Sequence, residues 1–497
     1  MIRMNLSVVL LMIFSVTLNM NVFKAEDTER IFDEEDIVQM IDTAVSAEKV
    51  PGTSILFTQA NEMTFYNTGY ADKSKGIRTT NETLYELGST TKAFTALAIL
   101  VLEDDGLISL DDQVQKYIPW LDTRYEGKSV PITIRQLLYH SSGLDDKTLN
   151  RFPAGTDPAL LEETVKLAND YELLFEPSTD YSYANIGYDM LAYIVEIVSN
   201  DSFETFVEER ILKPLGMYNS TFSYDDAMSS GQMSLGYKHL FMGAAHYNAP
   251  RYQGCMGDGY LITCTKDMGL WIDAQLNQDG LTPQIKRVIE KSHVVDEKNT
   301  IVVGTYNGTS LYYNYGWDMT DDGSYMSHNG SNPNYTSIVI IHPDLQEAVV
   351  VLSNIEGSHL YYISNNLLKY HHGQKMEIPI PIRHASEVLY SIMCIIGVIL
   401  LLLMIIRLCF IKKFIRKCRN KHKQLKQSVV VVKASINGLL LILMVLLPYL
   451  AGYNYHMLFV WMPFTLLLVV IIYSTVFLVA LLRYILMFYL IKDIKKS

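Results

Sequence analysis

The stretch Leu84-Tyr-Glu-Leu-Gly-Ser-Thr-Thr-Lys-Ala-Phe-Thr-Ala-Leu-Ala-Ile-Leu100 opens a helix and sets two reactive side chains at its start. Apolar residues recur at helical spacing after Lys92, so Ser89 and Lys92 fall one turn apart on one face. A free serine hydroxyl is a poor nucleophile. A neutral lysine amine within hydrogen-bond reach can take its proton, and partial burial plus nearby positive charge lowers the lysine pKa enough for that. Backbone N–H groups at the helix start add stabilisation of negative charge. Ser-x-x-Lys is weak by itself, because Ser46-Ala-Glu-Lys49 matches it within an exposed acidic helix.

Two further elements follow in chain order. Tyr183-Ala-Asn185, just ahead of a helical pattern, offers Tyr183 as general base or proton shuttle and Asn185 to orient the lysine and a substrate amide. His328-Asn-Gly-Ser331 leads into the strand Ser337 to Ile341. A glycine on an edge strand admits a substrate backbone, and the N–H of Ser331 can pair with that of Ser89 as an oxyanion hole. The catalytic candidates are therefore Ser89, Lys92, Tyr183, Asn185, His328 and Ser331. The substrate-binding candidates are Asn185, His328, Asn329, Gly330, Ser331 and Asn332, with Asn334 close by in sequence. Each pattern has a bland counterpart: Tyr312-Tyr-Asn314 repeats Tyr-x-Asn, a lone histidine is usually structural, and these asparagines also suit turns.

Outward from these motifs the chain reads as mixed α+β. An acidic amphipathic helix around Glu34 to Lys49 is broken by Pro51-Gly52, and Thr53 to Thr58 and Met63 to Tyr70 form a hairpin. Helical periodicity dominates from Lys92 to about Tyr224. Strands return at Val302 to Tyr306, Thr309 to Tyr315, Ser337 to His342 and Ala348 to Ser353, and a helix around Leu360 to Tyr370 closes the domain. A sheet built from both ends of a domain, with a helical insertion from its middle, leaves a cleft between two lobes where catalytic groups converge.

Ser-x-x-Lys, Tyr-x-Asn and His-x-Gly in this order resemble the serine β-lactamase and penicillin-binding-protein superfamily, in its class C-like, D-peptidase and esterase branch. Ile134-Arg-Gln-Leu-Leu-Tyr-His-Ser-Ser-Gly-Leu144, Leu212-Lys-Pro-Leu-Gly-Met217 and Gly257-Asp-Gly-Tyr-Leu-Ile-Thr-Cys-Thr-Lys-Asp-Met268 add to the resemblance. It implies a two-lobed domain with an antiparallel sheet flanked by helices, and acyl transfer: Ser89 attacks a carbonyl, Lys92 and Tyr183 relay protons, and water releases the acyl-enzyme. His328 stands where many β-lactamases carry a lysine that engages a substrate carboxylate. That departure fits the esterase and aminopeptidase branches better than efficient β-lactam hydrolysis.

The chain is 497 residues long and 49% apolar, but the apolar residues are uneven. Three runs, 388–410, 434–453 and 457–482, are each close to the ~20 residues that span a bilayer as helix. Met1 to Ala25, with Arg3 and an apolar stretch from Leu6 to Leu18, reads as a signal peptide or N-terminal anchor. The expected organisation is this segment, a hydrolase domain over 30–372, a Pro-rich stalk over 373–387 and a membrane domain over 388–497. Arg407, Lys412, Lys413, Arg416, Lys417, Arg419, Lys421, Lys423 and Lys426 crowd the loop after the first run, and Lys492, Lys495 and Lys496 the tail. The positive-inside rule places both in the cytoplasm and the hydrolase domain outside.

From residue 388 onward 14 Lys and Arg face one acid, Asp493, which leaves 27 bases and 52 acids before it, a net of −25. Such a field repels nucleic acid and tolerates neutral or cationic substrates. The expected partners are a small-molecule or peptide substrate and membrane lipid, with a homodimer left open. No cofactor is expected, and no His/Cys spacing suggests a metal. Cys255 and Cys264 are not close to a disulfide framework pattern, and a bridge between them stays open.

An outward hydrolase domain with three carboxy-terminal spans also resembles the prodrug-activating peptidases of nonribosomal peptide pathways, the colibactin-maturation peptidase among them. That resemblance implies removal of an N-acyl-D-asparagine mask from an exported peptide. The alternatives are a cell-wall D-Ala carboxypeptidase, D-aminopeptidase or esterase, and, in another class, a catalytically silent binding or sensor protein.

Overall fold

Ile37, Met40, Ile41, Ala44 and Val45 recur at helical spacing and bury one face of the helix Glu34–Ala47, whose first turn carries Glu34, Glu35 and Asp36. This helix and the closing helix His359–His371 cover one face of the sheet. The computed structural model describes residues 34–377, 382–420, 426–450 and 454–496. The expected signal segment, 1–25, lies outside them, as do residues 378–381 of the expected stalk.

The sheet has nine antiparallel strands. Their order is Val302–Tyr306, Thr309–Asn314, Trp317–Thr320, Met326–Asn332, Tyr335–His342, Glu347–Ser353, Gly52–Gln59, Glu62–Asp72 and Ile77–Arg78. Chain ends thus meet at its centre, where Ile55 sits opposite Val351 on one side and Tyr66 on the other. Strands Tyr335–His342 and Glu347–Ser353 are buried along their whole length, as central strands covered on both faces must be.

Lys92–Asp104 is the helix on which both lobes rest. From Lys92 to Leu102 every residue is buried, so it shows no solvent face. Phe94 stacks on Trp271 at 3.9 Å, and the helix packs on Asn185–Ser199 of the helical lobe. Gly316, at φ +84°, allows the turn before Trp317 to touch this helix: a Cβ there would lie 2.5 Å from the Ala93 nitrogen.

Besides the short edge strand Ile77–Arg78, sequence periodicity missed Trp317–Thr320 and Met326–Asn332. The last of these carries the His-x-Gly motif, which therefore lies on its own strand rather than ahead of one. That strand is internal by order. Its outer neighbour pairs with it only at Ser327 and Met326, however, so from His328 onward its outer edge has no strand beside it. The glycine of the motif thus stands on a functional edge.

Among the described residues, three helices are long and apolar enough to cross a membrane: Ala385–Cys409, Gln427–Leu450 and Phe464–Ile491, with mean hydropathy 3.0, 2.5 and 2.8. The first is part of a helix that begins at Ile382, so residues 382–387, expected as stalk, continue the span. The third run corrects the expectation of a span starting at Met457. Pro463 lacks an N–H and holds Met462 extended (φ −89°, ψ 156°), which splits off a short helix, Tyr455–Trp461, from the long helix Phe464–Lys496. The basic residues after the first span form an amphipathic helix, Ile411–Asn420.

Trp271 is fully buried. Trp271→Ala should cost about 3–5 kcal/mol, read in calorimetry of the full chain as a lowered midpoint of the sheet-containing domain; an unchanged midpoint would contradict the central position of this helix contact.

Candidate active site

The turn Gly88–Thr91 leads straight into the helix that begins at Lys92. Gly88, Thr90 and Thr91 are buried there, and Ser89 alone keeps access to the cleft. Gly88 adopts φ +58°, and a Cβ on it would lie 2.5 Å from the Ser331 nitrogen. A Cβ on Gly330 would lie 1.8 Å from the Leu87 carbonyl oxygen. Two glycines therefore let the serine turn and the motif strand meet backbone to backbone, which sets the N–H groups of Ser89 and Ser331 side by side. Ser337 locks the contact, donating its hydroxyl to the Leu87 carbonyl at 2.5 Å with Thr90 Oγ1 2.8 Å away.

Lys92 is fully buried. Its Nζ lies 3.0 Å from Ser89 Oγ, 2.7 Å from Asn185 Oδ1 and 2.8 Å from the Asp258 carbonyl oxygen. An ammonium fills all three contacts as donor. A neutral amine donates to Asn185 and the Asp258 carbonyl and turns its lone pair to the serine proton. Burial drives the Lys92 pKa down toward that neutral form, opposed by the charges of Asp258, Asp146 and Asp189.

Asn185 is aimed by Asp146, whose Oδ1 accepts from the Asn185 backbone N–H at 2.9 Å and from Nδ2 at 3.2 Å, leaving Oδ1 of the asparagine for the lysine. Tyr183 adjoins Ser89, and its ring lies 5.0 Å from Lys92 Nζ. Burial raises the Tyr183 pKa well above that of a free phenol, so Tyr183 is a neutral phenol suited to passing a proton rather than to taking one as a phenolate.

His328 belongs to the same cluster but faces away from the small cavity beside Ser89. Its Nδ1 donates to the Asn329 carbonyl at 2.7 Å, which leaves Nε2 to accept from the Tyr313 hydroxyl at 3.0 Å in the tautomer this network requires. Burial and the nearby Lys92 push its pKa down to about 3, so it carries no charge to a substrate. Asn332 is also committed: its Nδ2 donates to Glu86 at 2.7 Å and to the Gly259 carbonyl at 3.0 Å, although it lines the cavity wall. The Asn334 amide donates to Tyr247, away from the serine. Asn329 and Ser331 have exposed side chains, and Gly330 is the point of backbone contact.

The decoys separate cleanly. Ser46 and Lys49 are both exposed, with no cleft between them. Tyr312-Tyr-Asn314 instead contributes Tyr313, the partner of His328, while Asn314 ties the strand to the Ser292 and Val294 carbonyls.

Sequence reading missed a buried group behind the lysine. Asp189, Cys255 and Asp258 bring ligand-type atoms within 4.8 Å of one another. Neither Asp189 carboxylate oxygen has a hydrogen-bond partner, and burial holds its pKa well above the carboxylate range, while Asp258 is pushed up to about 6. Asp189 is 66 residues ahead of Cys255 in sequence, so no spacing could announce the trio. Lys92 lies among these acids as their counter-charge, which sets the trio against a divalent cation. Cys255 and Cys264 are both buried free thiols, so no bridge joins them.

The cavity beside Ser89 measures about 90 Å³ and is lined by Asn185, Ser331, Tyr252, Tyr260, Phe152 and Trp461 among others. A serine one turn from a buried lysine, with a phenol at hand, thus stands in a cleft between two lobes. The chain belongs to the beta-lactamase family, whose model matches residues 37–373. It is 31% identical over 334 residues to Protein flp of Staphylococcus aureus (strain NCTC 8325 / PS 47), covering 65% of this chain and 64% of that protein. A penicillin-binding protein of Bacillus subtilis (strain 168) is 29% identical over 325 residues, covering 61% of this chain and 68% of the relative. The octameric penicillin-binding protein homologue from Pyrococcus abyssi has a similar structure, with TM-score 0.60 and 28% identity over 73% of this chain and 81% of that one. The chain thus spans about 64% of the length of the staphylococcal relatives.

Ionised Asp258 raises the lysine pKa, so Asp258→Asn should let Lys92 lose its proton at lower pH. The acid limb of a plot of Ser89 acylation rate against pH is then expected to move to lower pH, and a limb that stays or rises would contradict this electrostatic assignment. Gly330→Ala should slow the same acylation by at least tenfold through the collision at Leu87, measured by the rate of labelling with a fluorophosphonate.

Proposed function

We propose that this protein is a membrane-bound serine hydrolase that works through an acyl-enzyme on Ser89. The observation that carries the reading is the buried Lys92 amine 3.0 Å from Ser89 Oγ, with Asn185 and the Asp258 carbonyl taking its other hydrogen bonds. Neutral Lys92 takes the serine proton as Oγ attacks a carbonyl carbon. The N–H groups of Ser89 and Ser331 receive the developing oxyanion. Tyr183, a neutral phenol, then delivers a proton to the leaving group and is reprotonated from Lys92. Water attacks the acyl-serine by the reverse route, which returns the proton to Ser89.

For the substrate, we read a peptidase that removes an N-acyl-D-amino acid mask, D-Asn-like, from an exported peptide prodrug. Support comes from the three spans and from the neutral environment around the serine. Asn329 remains as an amide reader, since Asn185 is held by Asp146 and Lys92 and the amides of Asn332 and Asn334 are engaged elsewhere. A second reading, a D-aminopeptidase or esterase of the penicillin-binding type, is favoured by the uncharged His328, which offers no cation to a C-terminal carboxylate. In both readings the hydrolase domain faces outward and the basic helix Ile411–Asn420 and the carboxy terminus face the cytoplasm.

A fluorophosphonate or fluorescent penicillin is expected to label the full chain in membranes and to leave Ser89→Ala unlabelled. Lys92→Met should slow labelling by roughly 10²–10⁴-fold, the usual contribution of a general base. Equal labelling of Ser89→Ala would overturn the assignment and leave a binding module. Release of D-Asn from N-acyl-D-Asn conjugates, against no release from D-Ala conjugates, would separate the prodrug reading from the second one.

A further inference from the structure

The short helix Tyr455–Trp461, between the second and third spans, is docked on the hydrolase domain rather than lying free above the bilayer. Met457, Leu458 and Val460 are buried, and Val460 joins the hydrophobic core of the domain itself. The Tyr252 hydroxyl meets His456 Nε2 at 2.7 Å. Lys238 closes the far end of the helix, its Nζ donating to the Phe459 carbonyl at 3.0 Å and to that of Met462 at 3.2 Å. Two residues beyond Pro463, Thr465 Oγ1 accepts from the Phe241 backbone N–H at 3.0 Å. Phe241 and Met242 are exposed apolar residues at a hairpin tip, both at positive φ, so this tip stands against the start of the third span.

The consequence is at the catalytic cavity. Trp461 lines it together with Ser89, Asn185, Phe152, Tyr252 and Tyr260. Its lining combines the polar Ser89 and Asn185 with aromatic rings, among them the indole of Trp461, which lies three residues from the first residue of the third span, Phe464. Burial favours apolar groups on such a wall.

We propose that the membrane domain supplies part of the substrate pocket, with Trp461 as a specificity-determining residue that receives an apolar acyl chain from an amphiphile seated in the outer leaflet. The inference rests on the hydrolase reading above. It assigns the three spans a role that one anchor would not fill: the second and third hold Trp461 over the serine. A substrate anchored by its chain reaches Ser89 along the indole without leaving the bilayer surface, whereas a short-chain analogue makes no such contact.

The test uses the full chain in lipid nanodiscs with p-nitrophenyl butyrate and p-nitrophenyl dodecanoate. The readout is the ratio of kcat/KM for the long ester to that for the short one, compared between proteins so that partitioning of the esters cancels. Trp461→Ala should lower this ratio at least tenfold, and Trp461→Phe should restore most of it. Lys238→Met, which keeps the indole but releases the end of its helix, should lower the ratio in the same direction. A ratio within twofold of the wild type in both Trp461→Ala and Lys238→Met would overturn the proposal. Fluorophosphonate labelling of the same preparations separates the two readings: an unlabelled wild type removes the hydrolase reading, whereas normal labelling with an unmoved ratio removes only the role of Trp461.

Discussion

A lysine amine with no exposure to solvent, held by three short contacts, is the constraint around which this molecule is built. Burying an ammonium alone is expensive, and the chain meets that cost in two ways. It offers acceptors in Asn185 and the Asp258 carbonyl, and it places Asp146, Asp189 and Asp258 within electrostatic range. The acids pull the lysine toward its charged form while desolvation pulls it toward neutrality, and desolvation is the larger of the two. The acids are themselves strained by burial: Asp189 has no partner for either oxygen, and Asp258 titrates near neutrality. Burial thus makes the carboxyls hold their protons more tightly and Lys92 hold its own less tightly, which brings the proton affinities of acid and base together, as a site requires if one of its members is to accept and return a proton.

This arrangement explains the topology. Lys92 sits at the start of a helix with no solvent face, so its partners must come from other parts of the chain: Asn185 of the helix Asn185–Ser199 and the Asp258 carbonyl of the short helix Met256–Gly259. Thr95 ties the helix to the Gly257 carbonyl at 2.6 Å, and Ser337 ties the sheet to the turn before Ser89. Ser89 stands at the seam of two lobes, and each lobe supplies a group that the other lacks.

Much of this was legible in the sequence, for physical reasons that differ between features. Ser89 and Lys92 could be placed because helix periodicity fixes which residues share a face, and the hairpin Gly52–Gln59 to Glu62–Asp72 because Pro51-Gly52 and alternating residues bound it. The strand Met326–Asn332 was not read, since Ser, His, Asn and Gly on it are poor strand formers and its place is set by pairing with Tyr335–His342. The role of Tyr313 was hidden for a similar reason: its motif looked like a chance repeat, and only the sheet brings it to His328. Asp146 and Asp189 had no signal at all, because a lone acid is recognised by what surrounds it. The break at Pro463 was available in the sequence, but the apolar run across it has the hydropathy of a span, and packing of Val460 into the domain core decides the outcome.

That last point bears on what a membrane segment is for. Had Tyr455–Trp461 continued the third span, Val460 and Trp461 would face lipid, and Lys238 would have no carbonyls to hold. Pro463 ends the short helix, and the freed carbonyls of Phe459 and Met462 become acceptors for a lysine whose own pKa burial has pushed down to about 7. Those carbonyls offset the desolvation of the Lys238 amine, and the amine holds the end of the short helix alongside the Tyr252–His456 contact and the burial of Val460. Each side satisfies a polar group that the other would otherwise leave buried and unpaired. The hydrolase domain and the long apolar helices therefore also meet at the wall of the cleft, where Trp461 stands.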